Sequence, residues 1–209
     1  MVRVLAIAGP PDTDLYSRLE DLRPDLVIGC GGLPYDYLET LAAASGAPVL
    51  YVPGAHDPAV TTVPTLKVDA GDTPTAPPGP HGCINIDGRV VTGSGLNIAG
   101  IGGGIALESA PNRYKPREMD KRVARFRVRH GGRRLTGRRP PDILVTHLSP
   151  LPIDGRPADH HPRFVNLVRA MKPRVAIHGG HGRGHQIDDR RLGGVPIVHP
   201  MPWRILELE

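Results

Sequence analysis

Short apolar runs that stop at a glycine or proline recur along the first quarter of the chain. Leu26 to Gly29 and Val49 to Val52 carry no charge, and Val2 to Ala8 has Arg3 as its one charged residue. Runs of this length and composition predict buried β-strands. The chain therefore opens with three predicted strands, each of which leads into a loop.

Two stretches between these strands predict helices. Asp14 is a capping residue for a helix that continues to about Leu22. Pro34 suits the first turn of a second helix from about Tyr35 to Ala44, which ends near Gly46. Strands that alternate with helices in this way predict an α/β sheet, with functional loops at the carboxyl ends of its strands.

The pattern changes in the middle of the chain. Asp69 to Pro80 is rich in proline, threonine and glycine and predicts a surface loop. Cys83 to Ile86 and Arg89 to Thr92 flank Asp87-Gly88, which predicts a β-hairpin. The remaining predicted elements are strands at Leu96 to Ile101, Ile143 to Thr146, Arg174 to Ile177, Val195 to His199 and Arg204 to Leu208, and helices from Pro116 to Val128 and from Pro162 to Met171.

The composition agrees with one folded domain over residues 1–209. The hydrophobic fraction is 39%, and no apolar run is long enough to cross a membrane, so no membrane partner is expected. The apolar N-terminus is about one strand long and has no signal-peptide cleavage site. Cys30 and Cys83 form neither a disulfide framework nor a zinc pattern, which favours a reducing, cytoplasmic location.

Positive charge is concentrated between Arg113 and Arg139. This segment holds twelve arginine or lysine residues and two acidic residues, Glu118 and Asp120, in a chain of net charge +5. Such a segment could bind nucleic acid or another polyanion. The alternative, a solvated arginine-rich helix and loop, is favoured because Tyr114 and Phe126 are its only candidate stacking residues and it carries no nucleic-acid motif.

Five loops at predicted strand ends carry the candidate chemistry: Gly9 to Asp14, Gly31-Gly32, Gly54 to Asp57, His147, and His178 to His185. Their order and spacing resemble the calcineurin-like metallophosphoesterase superfamily, whose motifs are D-x-H, G-D, G-N-H-D, an isolated histidine and G-H-x-H. Asp25 to Glu39, Ala110 to Tyr114 and Pro202 to Leu208 resemble one branch of that superfamily closely.

This resemblance covers essentially the whole chain and implies a four-layer α/β/β/α sandwich of two mixed sheets flanked by helices. In the superfamily, the five loops bind two divalent metals that activate water against a phosphate ester. In this chain, most of the corresponding ligand positions hold residues that are not the usual metal ligands. These positions are Gly9, Pro11, Gly32, Ala55 and Arg183.

The functional residues that remain from the resemblance are His56, Asp57, His147 and His181. Two imidazoles without a carboxylate, those of His147 and His181, are a poor site for Zn²⁺, Mg²⁺ or Mn²⁺. We therefore expect no two-metal centre, and at most one weakly bound divalent metal. Asp12, His178 and His185 are the residues that would have to complete such a site.

The replacements predict a pocket that binds an anion. Gly9, Gly32 and Ala55 leave space, and Arg183 can bind phosphate or carboxylate bidentately unless it points to solvent. The N–H groups of Gly31 and Gly32 precede a helix and also favour anions. His185 and Asp12 complete the candidate substrate-binding set.

The resemblance implies that His56 donates a proton to the leaving group and that Asp57 orients it. Imidazole titrates near neutrality and transfers protons without a metal. The leading hypothesis is thus a metal-independent acid–base enzyme on a small anionic or phosphorylated substrate, with His147 and His181 as polar contacts. One alternative is a non-catalytic protein that binds a nucleotide-like ligand or a protein partner, with Asp57 only capping its loop. The other is a weak single-metal phosphodiesterase.

Overall fold

The computed structural model describes residues 1–59, 79–131, 137, 139–153, 159–180 and 189–209. This part of the chain forms two large mixed sheets and four helices, which confirms the predicted α/β class. Most of the surface loop predicted from Asp69 lies outside the described residues. None of the helices described is long and apolar enough to cross a membrane.

The described residues form thirteen strands and four helices. The strands are β1 (Val2–Ile7), β2 (Leu26–Gly29), β3 (Val49–Tyr51), β4 (Cys83–Asn85), β5 (Arg89–Gly93), β6 (Leu96–Ile101), β7 (Gly104–Ile105), β8 (Arg113–Tyr114), β9 (Ile143–Thr146), β10 (Val175–His178), β11 (Arg190–Leu192), β12 (Val195–Val198) and β13 (Trp203–Leu208). The helices are α1 (Leu15–Leu22), α2 (Tyr35–Ser45), α3 (Pro116–His130) and α4 (Arg163–Met171).

Both sheets have parallel central strands and at least one antiparallel edge strand. The first has the strand order β13-β1-β2-β3-β4, in which β1 to β4 run parallel and β13 runs antiparallel to β1. The second has the order β11-β12-β10-β9-β6-β5, with antiparallel pairs at both ends. The central parallel strands β2, β3, β9 and β10 are buried along their whole length, as expected where both faces of a sheet are covered.

The core has three apolar clusters. One joins the two sheets and includes Ile28 and Val145. A second packs α3 and α4 on the second sheet, and the third packs α1 and α2 on the first. Each fully buried large aliphatic or aromatic side chain contributes about 1.5–3 kcal/mol to this packing.

The hairpin predicted around Asp87-Gly88 is wrong. β4 pairs with β3 in the first sheet, whereas β5 pairs with β6 in the second, so Asp87-Gly88 carries the chain from one sheet to the other. The Asp87 carboxylate accepts hydrogen bonds from Gly102 N (2.8 Å) and from the guanidinium of Arg122 (2.8 Å to each oxygen). These partners are distant in the sequence, so the local pattern does not reveal them. Their hydrogen bonds stabilise a crossover between the two sheets in place of a hairpin.

Candidate functional site

A cavity of about 640 Å³ lies where loops that follow strands of both sheets meet. Loops after β1, β2 and β3 form one side, and loops after β9 and β10 form another. Its described lining residues are Gly9, Gly31, Gly32, Leu33, Pro34, Tyr35, Ala55, His56, Asp57, Pro58, His147, Asp159 and Gly180. The structure therefore brings together five of the predicted site residues, namely Gly31, Gly32, His56, Asp57 and His147.

Close backbone packing after β2 and β3 requires glycine. Gly31 has φ +86°, and a β-carbon placed on it would lie 2.7 Å from both Gly54 N and His147 Nδ1. A β-carbon on Gly54 would lie 2.4 Å from Gly32 N. The two loops thus touch through their main chains, and His147 is packed directly beside them.

Asp57 ties these two loops together. Its Oδ2 accepts hydrogen bonds from Gly54 N (2.7 Å) and Gly32 N (3.1 Å). A carboxylate that accepts main-chain hydrogen bonds of this kind fixes the local backbone. The Gly32 N–H, expected to favour an anionic ligand, is therefore already bonded to Asp57. The geometry gives Asp57 the loop-capping role that was its alternative interpretation.

His56 is exposed at the cavity and contacts Arg113. Arg113 Nη2 lies 3.3 Å from His56 Nδ1, and Arg113 Nε donates to the carbonyl oxygen of Ala55 (3.3 Å). The Asn112 amide donates to the carbonyl oxygens of Asp57 (3.0 Å) and Pro58 (3.1 Å). A guanidinium only donates, so Nδ1 of His56 must accept, and its proton is assigned to Nε2.

His147 has the opposite arrangement. Its Nδ1 lies 3.1 Å from the carbonyl oxygen of Cys30, which can only accept, so Nδ1 carries the proton and Nε2 has the lone pair. Burial lowers the pKa of His147 and outweighs the Cys30 hydrogen bond, which raises it. A lowered pKa keeps this imidazole neutral and basic at Nε2 around neutral pH.

The described wall of the cavity carries two carboxylates and no basic side chain other than its histidines. Asp57 and Asp159 are its carboxylates, and none of its described lining residues is an arginine or a lysine. The predicted preference for anions therefore depends on cations near the cavity. Arg113 is one, through its contact with His56. Arg183, like His181 and His185, lies outside the described residues.

The space expected from the small residues remains only in part. A β-carbon on Gly32 would meet only His147 Cε1, at 3.8 Å. By contrast, a β-carbon on Gly9 would lie 2.7 Å from Met201 Cγ. The methyl group of Ala55 packs against Gly104, whose own β-carbon would lie 2.5 Å from it. Met201 and Gly104 thus occupy room that the sequence alone suggests is open.

Asp12 is not among the described residues that line the cavity. Its Oδ2 accepts a hydrogen bond from Trp203 Nε1 (2.8 Å), and its Oδ1 accepts one from Asp14 N (3.1 Å). Its carbonyl oxygen accepts a hydrogen bond from the hydroxyl group of Tyr37 (3.0 Å). Asp12 therefore anchors the loop after β1 to α2 and β13.

The described side chains do not fit a two-metal centre. No group of three or more His, Cys, Asp or Glu residues within the described ranges is placed to hold a metal ion. Gly32 and Ala55 have no side-chain atom that could bind a metal, and Asp57 Oδ2 already accepts two main-chain hydrogen bonds. His56, Asp57, His147 and Asp159 carry possible metal-ligand atoms in the described lining, but no three of them are placed around one ion, whereas a zinc site needs three or four protein ligands.

Sequence reasoning missed Arg113, Asn112 and Asp159 as functional candidates. Arg113 and Asn112 lie in the stretch from Ala110 to Tyr114, which carried part of the resemblance, but nothing local connects them to His56. Asp159 is an isolated acid between a proline-rich loop and two histidines. The sequence indicates a role for Asp159 only through its position shortly after His147.

The fold is similar to that of solved structures. No family model and no curated protein matches the chain. TT1561 of Thermus thermophilus is similar over 95% of this chain and 88% of that chain, with a TM-score of 0.61 and 20% identity. A second crystal structure covers 95% of this chain and 90% of its own, with a TM-score of 0.60 and 15% identity. Identities this low establish a shared fold alone.

Proposed function

We propose that this chain is a degenerate metallophosphoesterase-like protein that acts as a metal-independent acid–base enzyme on a small anionic or phosphorylated substrate. The four-layer α/β/β/α sandwich of that superfamily is part of the proposal. Three apolar clusters, one between the sheets and one under each pair of helices, support it. The replacement of expected ligands by Gly9, Gly32 and Ala55 supports the loss of the metal centre.

The observation that carries the proposal is the opposite use of Nδ1 by two cavity histidines. His147 donates from Nδ1 to Cys30, which leaves a lone pair on Nε2. His56 accepts at Nδ1 from Arg113, which leaves a proton on Nε2. One imidazole is thus prepared as a base and the other as a hydrogen-bond donor, and proton transfer by an imidazole base needs no metal.

In the proposed reaction, His147 Nε2 takes a proton from the attacking group, and the imidazolium so formed returns that proton to the leaving group. His56 Nε2–H donates a hydrogen bond that stabilises the charge developing on the leaving group. Arg113 binds the anionic part of the substrate near His56, and Arg183 is a second candidate for this role. Asp57 holds the loops of Gly32 and Gly54 in place. His181 and His185 remain candidate polar contacts.

The proposal is tested by turnover of chromogenic phosphate mono- and diesters in the presence of EDTA. We expect His147→Asn and His56→Asn each to lower kcat by about 10²–10⁴-fold, and Arg113→Gln mainly to raise KM. His81→Asn, a change at an exposed histidine outside the lining residues, is the matched control. Activity that EDTA abolishes and Mn²⁺ restores would instead favour the single-metal alternative.

A non-catalytic binding protein is the second candidate, because the carboxylate of Asp57 is bonded to main-chain N–H groups. Equal turnover by the wild type and both histidine variants would exclude acid–base catalysis. Saturable binding of inorganic phosphate, lost in Arg113→Gln, would then assign the cavity to ligand binding.

A further inference from the structure

We propose that the exposed face of α3 binds nucleic acid through the phosphate backbone. This proposal does not rest on the function proposed for the cavity. α3 spans Pro116–His130, a length of about 22 Å. Its apolar residues Met119, Val123 and Phe126 are at most 4% exposed and pack into the core of the second sheet. The opposite face of the helix is therefore left to its basic residues.

Four of these basic residues form a row. Arg117, Lys121, Arg125 and Arg129 recur at every fourth position, and all four are exposed. Residues four apart follow a ridge of the helix and rise about 6 Å per step, so the row extends for about 18 Å. A straight line of regularly spaced cations matches a ligand with regularly spaced negative charges.

The acidic residues of the same segment have other partners. Glu118 accepts hydrogen bonds from Lys115 N (2.8 Å) and Ser109 Oγ (2.6 Å). Asp120 is paired with Arg163, whose Nε lies 3.0 Å away. Both carboxylates are thereby committed to capping the helix or to holding α4.

The row borders a concave basic surface. A small cavity of about 170 Å³ lies between Gly88 and α3, and three arginines, Arg122, Arg125 and Arg129, help to line it. Arg122 is bonded to Asp87 and lies over the ring of Tyr114, at 4.2 Å from its centroid. Arg125 and Arg129, which belong to the row, therefore also help to line this cavity.

Nucleic acid fits this face better than a membrane or an acidic protein. All residues of α3 are described, and Val128 is the one large hydrophobic residue that the helix exposes, whereas a membrane-bound helix needs an outward apolar face. An acidic protein would need a matching row of carboxylates, whereas the backbone of nucleic acid always presents regularly spaced phosphates. The isoelectric point of about 9.6 is also typical of nucleic-acid-binding domains.

The same face predicts the mode of binding. Phe126 is buried and Tyr114 lies under Arg122, so among the described residues neither aromatic of the segment is available for stacking on bases. We therefore expect binding to duplex DNA without sequence preference and with strong salt dependence.

The test measures fluorescence anisotropy with a labelled duplex of about 20 base pairs between about 50 and 200 mM salt. We expect the triple variant Arg117→Gln/Lys121→Gln/Arg125→Gln to weaken binding at least about tenfold and to reduce the slope of log Kd against log salt by about 3. Arg18→Gln/Arg169→Gln/Arg191→Gln removes three exposed positive charges elsewhere and should retain binding. Circular dichroism checks that both variants are folded.

Three outcomes would overturn the proposal. The first is no binding of the wild type to the duplex. The second is an equal loss of affinity in the two triple variants, which would show that net charge alone is responsible. The third is that polyglutamate of matched charge, or vesicles of anionic lipid, bind as tightly as the duplex. That result would assign the face to another partner. Unchanged turnover in the α3 variant separates this result from the cavity function.

Discussion

Single residues set the shape of the cavity through contacts that leave no room for a side chain. Gly31 and Gly46 both have positive φ values, +86° and +64°. A β-carbon on Gly31 would approach Gly54 N and His147 Nδ1, whereas one on Gly46 would meet nothing within 4 Å. Substitution of these two glycines by alanine therefore separates the energetic cost of a left-handed backbone from the cost of a steric clash.

We predict that Gly46→Ala lowers the free energy of unfolding by about 1–2 kcal/mol, the cost of a left-handed alanine. Gly31→Ala should cost about 3 kcal/mol or more, because the methyl group also displaces main-chain atoms of the neighbouring loop. Urea denaturation of both variants measures the difference. Equal costs would mean that the loops around His147 are not tightly packed.

Sequence reasoning at this scale placed His56, Asp57 and His147 in one site, because each follows a predicted parallel strand. It assigned Asp12 to the same site, yet this carboxylate bonds to Trp203, a residue 191 positions away. It also missed the contact of Arg113 with His56, since the two are 57 positions apart. Side-chain partners at such separations depend on packing that no local pattern encodes.

At the scale of elements, the passage between the two sheets depends on one ion pair. Asp87 and Arg122 have side-chain exposures of 19% and 26%, and the same carboxylate also accepts the Gly102 N–H. Asp189 and Arg204 form a pair of similar length, 2.7 Å, but are 42% and 49% exposed. The two pairs allow the effect of burial to be measured directly.

We predict that Asp87→Ala lowers the free energy of unfolding by about 2–3 kcal/mol, because it leaves Arg122 and the Gly102 N–H without their acceptor. Asp189→Ala should cost at most about 1 kcal/mol, as expected for an exposed pair. Chemical denaturation of the two variants provides the comparison. A cost for Asp87→Ala as small as that for Asp189→Ala would contradict the structural role of this pair.

Elements with a strong local pattern were predictable, and those defined by distant partners were not. The uncharged run Leu26–Gly29 is a strand with the predicted bounds, and Gly46 ends α2 as expected. The short strands β7, β8 and β11 were missed, because none of them is a buried apolar run of the kind that marks β3. Asp87-Gly88 has the composition of a hairpin turn, and only its contacts show a crossover between sheets.

At the scale of the whole molecule, several histidines are buried. Burial, with a contribution from His199, lowers the pKa of His178 to about 3, and the two rings stack at 5.1 Å. Burial also lowers the pKa values of His147 and His161. In the unfolded chain these side chains take up a proton near pH 6.5, whereas in the native state they do so only at lower pH.

Stability is therefore predicted to fall as the pH falls below about 6.5. The unfolded state gains protons that the native state lacks, which costs about 1.4 kcal/mol per pH unit for each such histidine. For His178 this loss continues to about pH 3. Urea midpoints at several pH values should show a shallower slope for His178→Asn than for the wild type, and an unchanged slope for His81→Asn. Parallel slopes for all three proteins would rule out a contribution from His178.

The pairing of β1 with β13 sets the order in which the cavity can be completed during translation. All six residues of β1, from Val2 to Ile7, pair with the last strand, and Met201 lies against Gly9 just beyond that ladder. The ribosome therefore releases the first strand nearly two hundred residues before its antiparallel neighbour. Until then β1 has an unpaired edge, and the wall beside Gly9 is open. A nascent chain would gain its finished cavity only after β13 (Trp203–Leu208) has been synthesised.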